Sequence, residues 1–215
     1  MALSKVNFNS LNLTQTASKT VVFNSNNNGI EAGDVGGALT LISTQTASSS
    51  STISFTSGID STYKEYIFKF IGIHPANDTV NFQINASIDG GSNYNVTKTT
   101  TFFLAYHTED DSGTALQYYA NRDLAQSTAA QQIVTIGNAN DDSGSGTLHL
   151  FDPSNTTFVK HFMSRMVAPK GEDTENCKDT YVAGYFNTTS AIDAIQFSMS
   201  SGNIDSGVIK LYGVS

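Results

Sequence analysis

Tryptophan is absent from this chain of 215 residues, cysteine occurs once and proline three times. A single cysteine excludes an internal disulfide and a cysteine-built zinc cage. Cys177 stands in the polar run "KGEDTENCKDT", which reads as a loop, and no neighbouring histidine pattern activates its thiol. Charge is scarce as well: 14% of residues are charged, against roughly 25% in an ordinary soluble domain. Basic residues are scarcest, 11 against 19 acidic, for a formal net charge of −8. Without a Lys/Arg cluster nothing neutralises a run of phosphates or an anionic bilayer, so neither nucleic acid nor membrane is expected as a partner. No apolar run approaches the roughly 20 residues of a membrane span, and "MALSKVNFNS" lacks a signal-peptide core. A chain made in a cytoplasm and staying soluble is expected.

What fills the composition instead is Asn, Ser, Thr and Gly, so solubility rests on amides and hydroxyls. Residues 1–39 differ from the rest. Short apolar patches, Val6/Phe8, Leu11/Leu13 and Val21/Val22/Phe23, are separated by turn-forming runs such as "NSNNNG" and "GDVGG". None of these patches makes a core, which predicts an extended docking arm anchored on another chain. Residues 40–215 predict an all-β domain. "TVNFQINASI" alternates, with Val80, Phe82, Ile84, Ala86 and Ile88 on one side. In "KEYIFKFIGIH", Tyr66, Phe68 and Phe70 fall on one face, and Ile67, Ile71 and Ile73 on the other. Period-two runs with turn signals every 8–12 residues predict an antiparallel β-sandwich, and about ten strands fit a jelly-roll-like wiring. One exception, "NRDLAQSTAAQQ", reads as a short helix capped by Asn121.

Two of the four histidines fall in "GTLHLFDPSNTTFVKHF". "DPSN" is a type I turn signal, and a hairpin closed there sets His149 opposite Phe158. His149 then shares a face with Phe151, Phe158 and Lys160, while His161 points the other way, so the hairpin cannot offer both imidazoles to one metal. His74 and His107 each end a strand and read as caps.

Two loops repeat a DDSG core and hold the acids Asp110, Asp111, Asp141 and Asp142. In the second, Asn138, Asn140 and Asp142 alternate as hard-cation ligands do, but the glycine falls one place late for a calcium loop. Turn chemistry explains both loops better than a bound cation does, so neither a metal nor a cofactor is assigned. No nucleophile elbow, zinc-protease motif, phosphate loop or dinucleotide turn is present, and the acids follow no glycosidase spacing. Tyr106, Tyr118 and Tyr119 offer rings for stacking on sugars, but a place at the sandwich rim with the hydroxyl in water is the reading preferred. The expectation is a protein without enzymatic chemistry.

Several stretches carry a resemblance: "LSKVNFNSLNLT", the run from "SKTVVFNSNNNG" through "YKEYIFKFIGIHP", "GTLHLFDPSNTTFVKHF", and "AGYFNTTSAIDAIQFSMSSGNIDSGVIKLYG". They resemble a family of tailed-bacteriophage virion proteins, common in phages of marine and freshwater bacteria. The resemblance implies a jelly-roll-like, particle-surface protein, homotrimeric and attached through its N-terminal part, and no catalytic residues. The expected role is capsid decoration, bound to the major capsid protein or to a tail protein. The alternative is a tail-fibre adhesin that meets a host surface glycan or protein through its loops.

Overall fold

The computed structural model describes residues 19–23, 30–34, 38–169 and 176–215. The chain divides into two compact units, Met1–Ala38 and Leu39–Ser215. In the first, β1 (Lys19–Phe23) pairs antiparallel with β2 (Ile30–Asp34), so part of the stretch expected to be an extended arm is a hairpin. Val21, Val22 and Phe23 stand opposite Ala32, Glu31 and Ile30. The other expected anchors, Val6, Phe8, Leu11 and Leu13, lie outside the described residues.

The second unit is an antiparallel β-sandwich. Its larger sheet has eight strands, in the order β3 (Leu39–Ser50), β14 (Ile204–Val214), β5 (Glu65–Pro75), β10 (Gly144–Phe151), β11 (Lys160–Pro169), β12 (Asn176–Phe186), β7 (Lys98–Thr108) and β8 (Thr114–Tyr118). The smaller has four, in the order β4 (Thr52–Phe55), β13 (Ala194–Met199), β6 (Val80–Ser87) and β9 (Gln131–Ile136). Alternation builds the core. Tyr66, Phe68 and Phe70 of β5 are buried and face Phe82 of β6, Phe197 of β13 and Phe55 of β4. Phe197 is the hub: its ring lies 5.1 to 6.3 Å from those of Phe70, Phe68, Phe82 and Phe55.

Four sequence expectations need correction. In β5, Gly72 takes a φ of +58° and breaks the alternation with a bulge. Ile73, expected on the outer side with Ile71, is therefore fully buried. At the end of β6, Ser87 is buried and Ile88 exposed, because Ser87 Oγ caps the Asp89–Gly91 turn through the Asp89 and Gly91 amides. The "DPSN" turn forms, with the Asn155 amide bonded to the Asp152 carbonyl, but β11 starts only at Lys160. His149 consequently pairs with Met163 rather than Phe158, and both His149 and His161 lie on the outer face while Lys160 is buried. No helix forms after Asn121. Leu124 bonds through its amide and carbonyl to Thr100, and Ser127 bridges Lys98, so the segment pairs with β7 instead of with itself.

Where four strands face eight, polar groups complete the interior. Register places Lys160, Phe186 and Lys98 side by side across β11, β12 and β7, and all three are fully buried. Lys98 Nζ donates to the Ala129 carbonyl at 2.6 Å. Lys160 Nζ donates to the carbonyls of Phe158 and Thr188. The two ammoniums thus tie three loops to the end of the sheet.

Two predictions follow from this packing. Phe197→Ala should cost about 3–5 kcal/mol in urea unfolding, because one cavity opens under four rings; a loss below 1 kcal/mol would mean that the hub is not central. Burial holds the Lys98 ammonium down to about 8, below its ordinary 10.5. Between those values the unfolded chain binds more protons than the folded one, so stability contributed here rises with pH across that window. Unfolding midpoints of the native chain should gain on those of Lys98→Met from pH 7.5 to pH 10, and a gap that stays constant would refute the assignment.

Candidate functional site

The outer face of the eight-stranded sheet is where the exposed side chains become unusual. Strand pairing lines them up in rows across β10, β11, β12 and β7. The central row is His149, Met163, Ala183 and Thr101. On one side of it stand Thr147, Arg165, Tyr181 and Phe103, and on the other His161, Tyr185 and Thr99, with Phe151 nearby. Ala183 is small between two tyrosines, so the central row sinks. Two depressions of about 480 and 410 Å³ result, and they meet at Met163 and Ala183.

The flanking row is locked from within. Tyr181 and Phe103 stack at 4.9 Å, nearly parallel, and the Arg165 guanidinium lies 5.1 Å from the other side of the Tyr181 ring. Arg165 also forms a forked pair with Asp179, from Nε at 3.0 Å and Nη2 at 2.7 Å. That contact holds the Asp179 carboxyl below the usual carboxylate range, with the Tyr181 hydroxyl adding to it and burial opposing it. Burial, then Asp179, pushes the Tyr181 hydroxyl up. His149 Nδ1 lies 2.6 Å from Glu65 Oε1 on the same face.

The loop acids predicted as ligands mostly serve their own backbone. Asp110 accepts from the Ser112 amide, and hydrogen bonding by the Ser112 side chain, then by that amide, holds its carboxyl below the ordinary range. Asp111 sits at a φ of +58° and lies 2.9 Å from His107 Nε2. In the second loop, Asn138 donates to the Ala76 carbonyl and Asp142, nearly buried, accepts from the Ala139 amide. Asn140, Asp141 and Asp142 border a polar depression of about 380 Å³ with His74 and Asp205. Among the described residues no group of three His, Cys, Asp or Glu side chains could hold a metal ion.

The three tyrosines do not share a platform. Tyr118 is exposed on the outer face of β8, its hydroxyl donating to Asp123. Tyr119 turns in against Phe102 with Arg122 over its ring, and Tyr106 packs on the core. Cys177, expected in a loop, is exposed on β12 between Pro169 and His107. The central trough was missed in the sequence, although a signal exists. In "KHFMSRMVAP" the outward positions of β11 include Met163 and Val167 beside His161 and Arg165, so large apolar side chains stand on the solvent face as well as in the core.

No family model, curated protein or solved structure matches this chain.

The forked pair generates a testable prediction. Because the folded carboxyl of Asp179 titrates below its ordinary 3.8, the pair stabilises above that pH and the contribution is lost as pH falls through the folded value. Asp179→Asn should cost no more than about 1 kcal/mol at pH 7, given how exposed Arg165 is. The difference should close as pH is taken below 3.8. Urea unfolding at pH 7 and at pH 2.5 measures it, and an equal gap at both would exclude the ion pair as its source.

Proposed function

We propose that this chain is a non-enzymatic structural protein of a tailed-phage virion. In this reading it is a homotrimer that docks on the capsid through its first 39 residues and displays a jelly-roll-like sandwich at the particle surface. The observation that carries the reading is the division of the chain at Ala38 and Leu39. The larger unit encloses its own core, whereas the described part of the smaller is one hairpin of two five-residue strands. A lone two-stranded hairpin is marginal in water and needs a surface to pack against. A partner subunit of a particle supplies one, and such binding stabilises the shell by mass action.

Two further features support it. The chain passes repeatedly between the sheets, from β4 to β5, β6 and β7, and again from β13 to β14, as jelly-roll-like domains do. Two of the four loop acids that a catalytic or glycan-binding reading would use, Asp110 and Asp142, are bonded to nearby amides. A surface role therefore rests on packing rather than on loop chemistry, which favours decoration over an adhesin.

The test is association with particles. The full chain should co-sediment with tailed-phage particles stripped of it, and deletion of Met1–Ala38 should abolish that while the melting curve of the sandwich persists. Protein quantification of intact particles should find one set per capsomer junction. Only a few copies per particle would favour the tail-fibre adhesin, and none at all would end the virion reading.

A further inference from the structure

We propose that the outer face of the eight-stranded sheet is the surface by which copies of this chain bury one another. The inference rests on the self-association in the reading above and supplies the surface for it. What carries it is the distribution of exposed apolar side chains. Ten large ones are exposed among the described residues, and strand register places all but Ile88 and Phe158 on this one face. Met163, Val167 and Phe103 lie at its centre, Leu116 and Tyr118 on the β8 edge, and Leu41 on the β3 edge. Single exposed apolar residues are ordinary, but eight of ten gathered on one sheet face mark it as an interface.

Size, charge and ring geometry together identify the occupant. Eight strands about 4.8 Å apart, over about eight residues of length at 3.3 Å each, make a sheet face of roughly 900 Å². That matches the roughly 800 Å² that each partner contributes to a stable protein interface, and exceeds what a small ligand covers. The chain as a whole is strongly acidic, yet this face holds three basic residues, Lys69, Arg165 and Lys210, against three acidic ones, Glu65, Asp179 and Asp205. Two copies can therefore meet here without the repulsion their net charges would cause elsewhere. A sugar is disfavoured by the rings themselves. Tyr181 has Phe103 on one face and Arg165 on the other, so it offers a pyranose only its edge.

The native methionines report on this face. Met163 is half exposed on it, whereas Met166 and Met199 are buried in the core. The full chain should sediment as an oligomer at micromolar concentration, and Val167→Glu should convert it to monomer. Ile88→Glu, the same change at an exposed site off the face, should leave the oligomer intact. Under brief hydrogen peroxide, Met163 should oxidise at least about fivefold faster in Val167→Glu than in the native chain. Met166 and Met199 should stay slow in both, which reports that the variant is folded. If they do not, Leu116→Glu on the exposed β8 edge takes its place.

A native chain that is monomeric throughout, or an oligomer in which Met163 oxidises as fast as in the variant, would overturn the proposal. So would a Val167→Glu chain that stays assembled, since another surface would then hold the copies together. Particle co-sedimentation separates this from the virion reading. An oligomer that the variant dissolves but that never binds particles supports the interface and removes only the virion role.

Discussion

Everything in the sandwich hangs on apolar contact between two sheets of unequal width. Phe197 gathers Phe55, Phe68, Phe70 and Phe82 into one aromatic cluster, so strands far apart in sequence are committed to one another by the burial of five rings. Edge-to-face and offset contacts of this kind add to the gain from area alone. The bulge at Gly72 serves the same contact, because by shifting the alternation it delivers Ile73 to the core as well.

The inequality of the sheets has consequences on both sides of the larger one. Inside, the uncovered end near β7 and β12 is closed by loops, and buried polar groups hold those loops. Lys98 and Lys160 reach carbonyls there, and Thr100 Oγ1 bonds Gln131 at 2.5 Å. Outside, none of the described residues of the unit covers the larger sheet, and Met163, Val167 and Phe103 stay half exposed. Inside, Asn176 Oδ1 and Thr180 Oγ1 of β12 are buried without a hydrogen-bond partner among the described residues, but the rest of that end is closed within one chain. The outer face has the composition of a surface awaiting a neighbour, which links the proposed role in a particle to a specific face.

On the proposed reading, the first unit adds a second link of the same kind. A hairpin of two five-residue strands cannot draw much stability from itself, whereas the sandwich can. Function on this reading comes from two surfaces that are each incomplete alone. Neither needs a titrating side chain or a bound cofactor, and the acids of the two DDSG loops are accordingly free to shape turns.

How much of this was legible in the sequence depends on the range of the interaction. Alternation over "TVNFQINA" and "EYIFKF" identified β6 and the first half of β5 with their buried sides, because side-chain direction in a strand is a nearest-neighbour property. The break in composition near residue 39 was visible for the same reason. The register of β10 on β11 was not. A good turn at "DPSN" suggested one pairing, but Asn155 Oδ1 captures the Thr157 and Phe158 amides, and the strand resumes only at Lys160. The segment after Asn121 has helical composition yet bonds to β7, since a sheet edge with free amides outcompetes a short helix. By itself, then, the sequence determined that residues 40–215 form an all-β domain and where most of its strands lie, since these depend on local alternation. Which sheet each strand joins, where both histidines point, and that apolar side chains gather on one outer face were decided by long-range pairing alone.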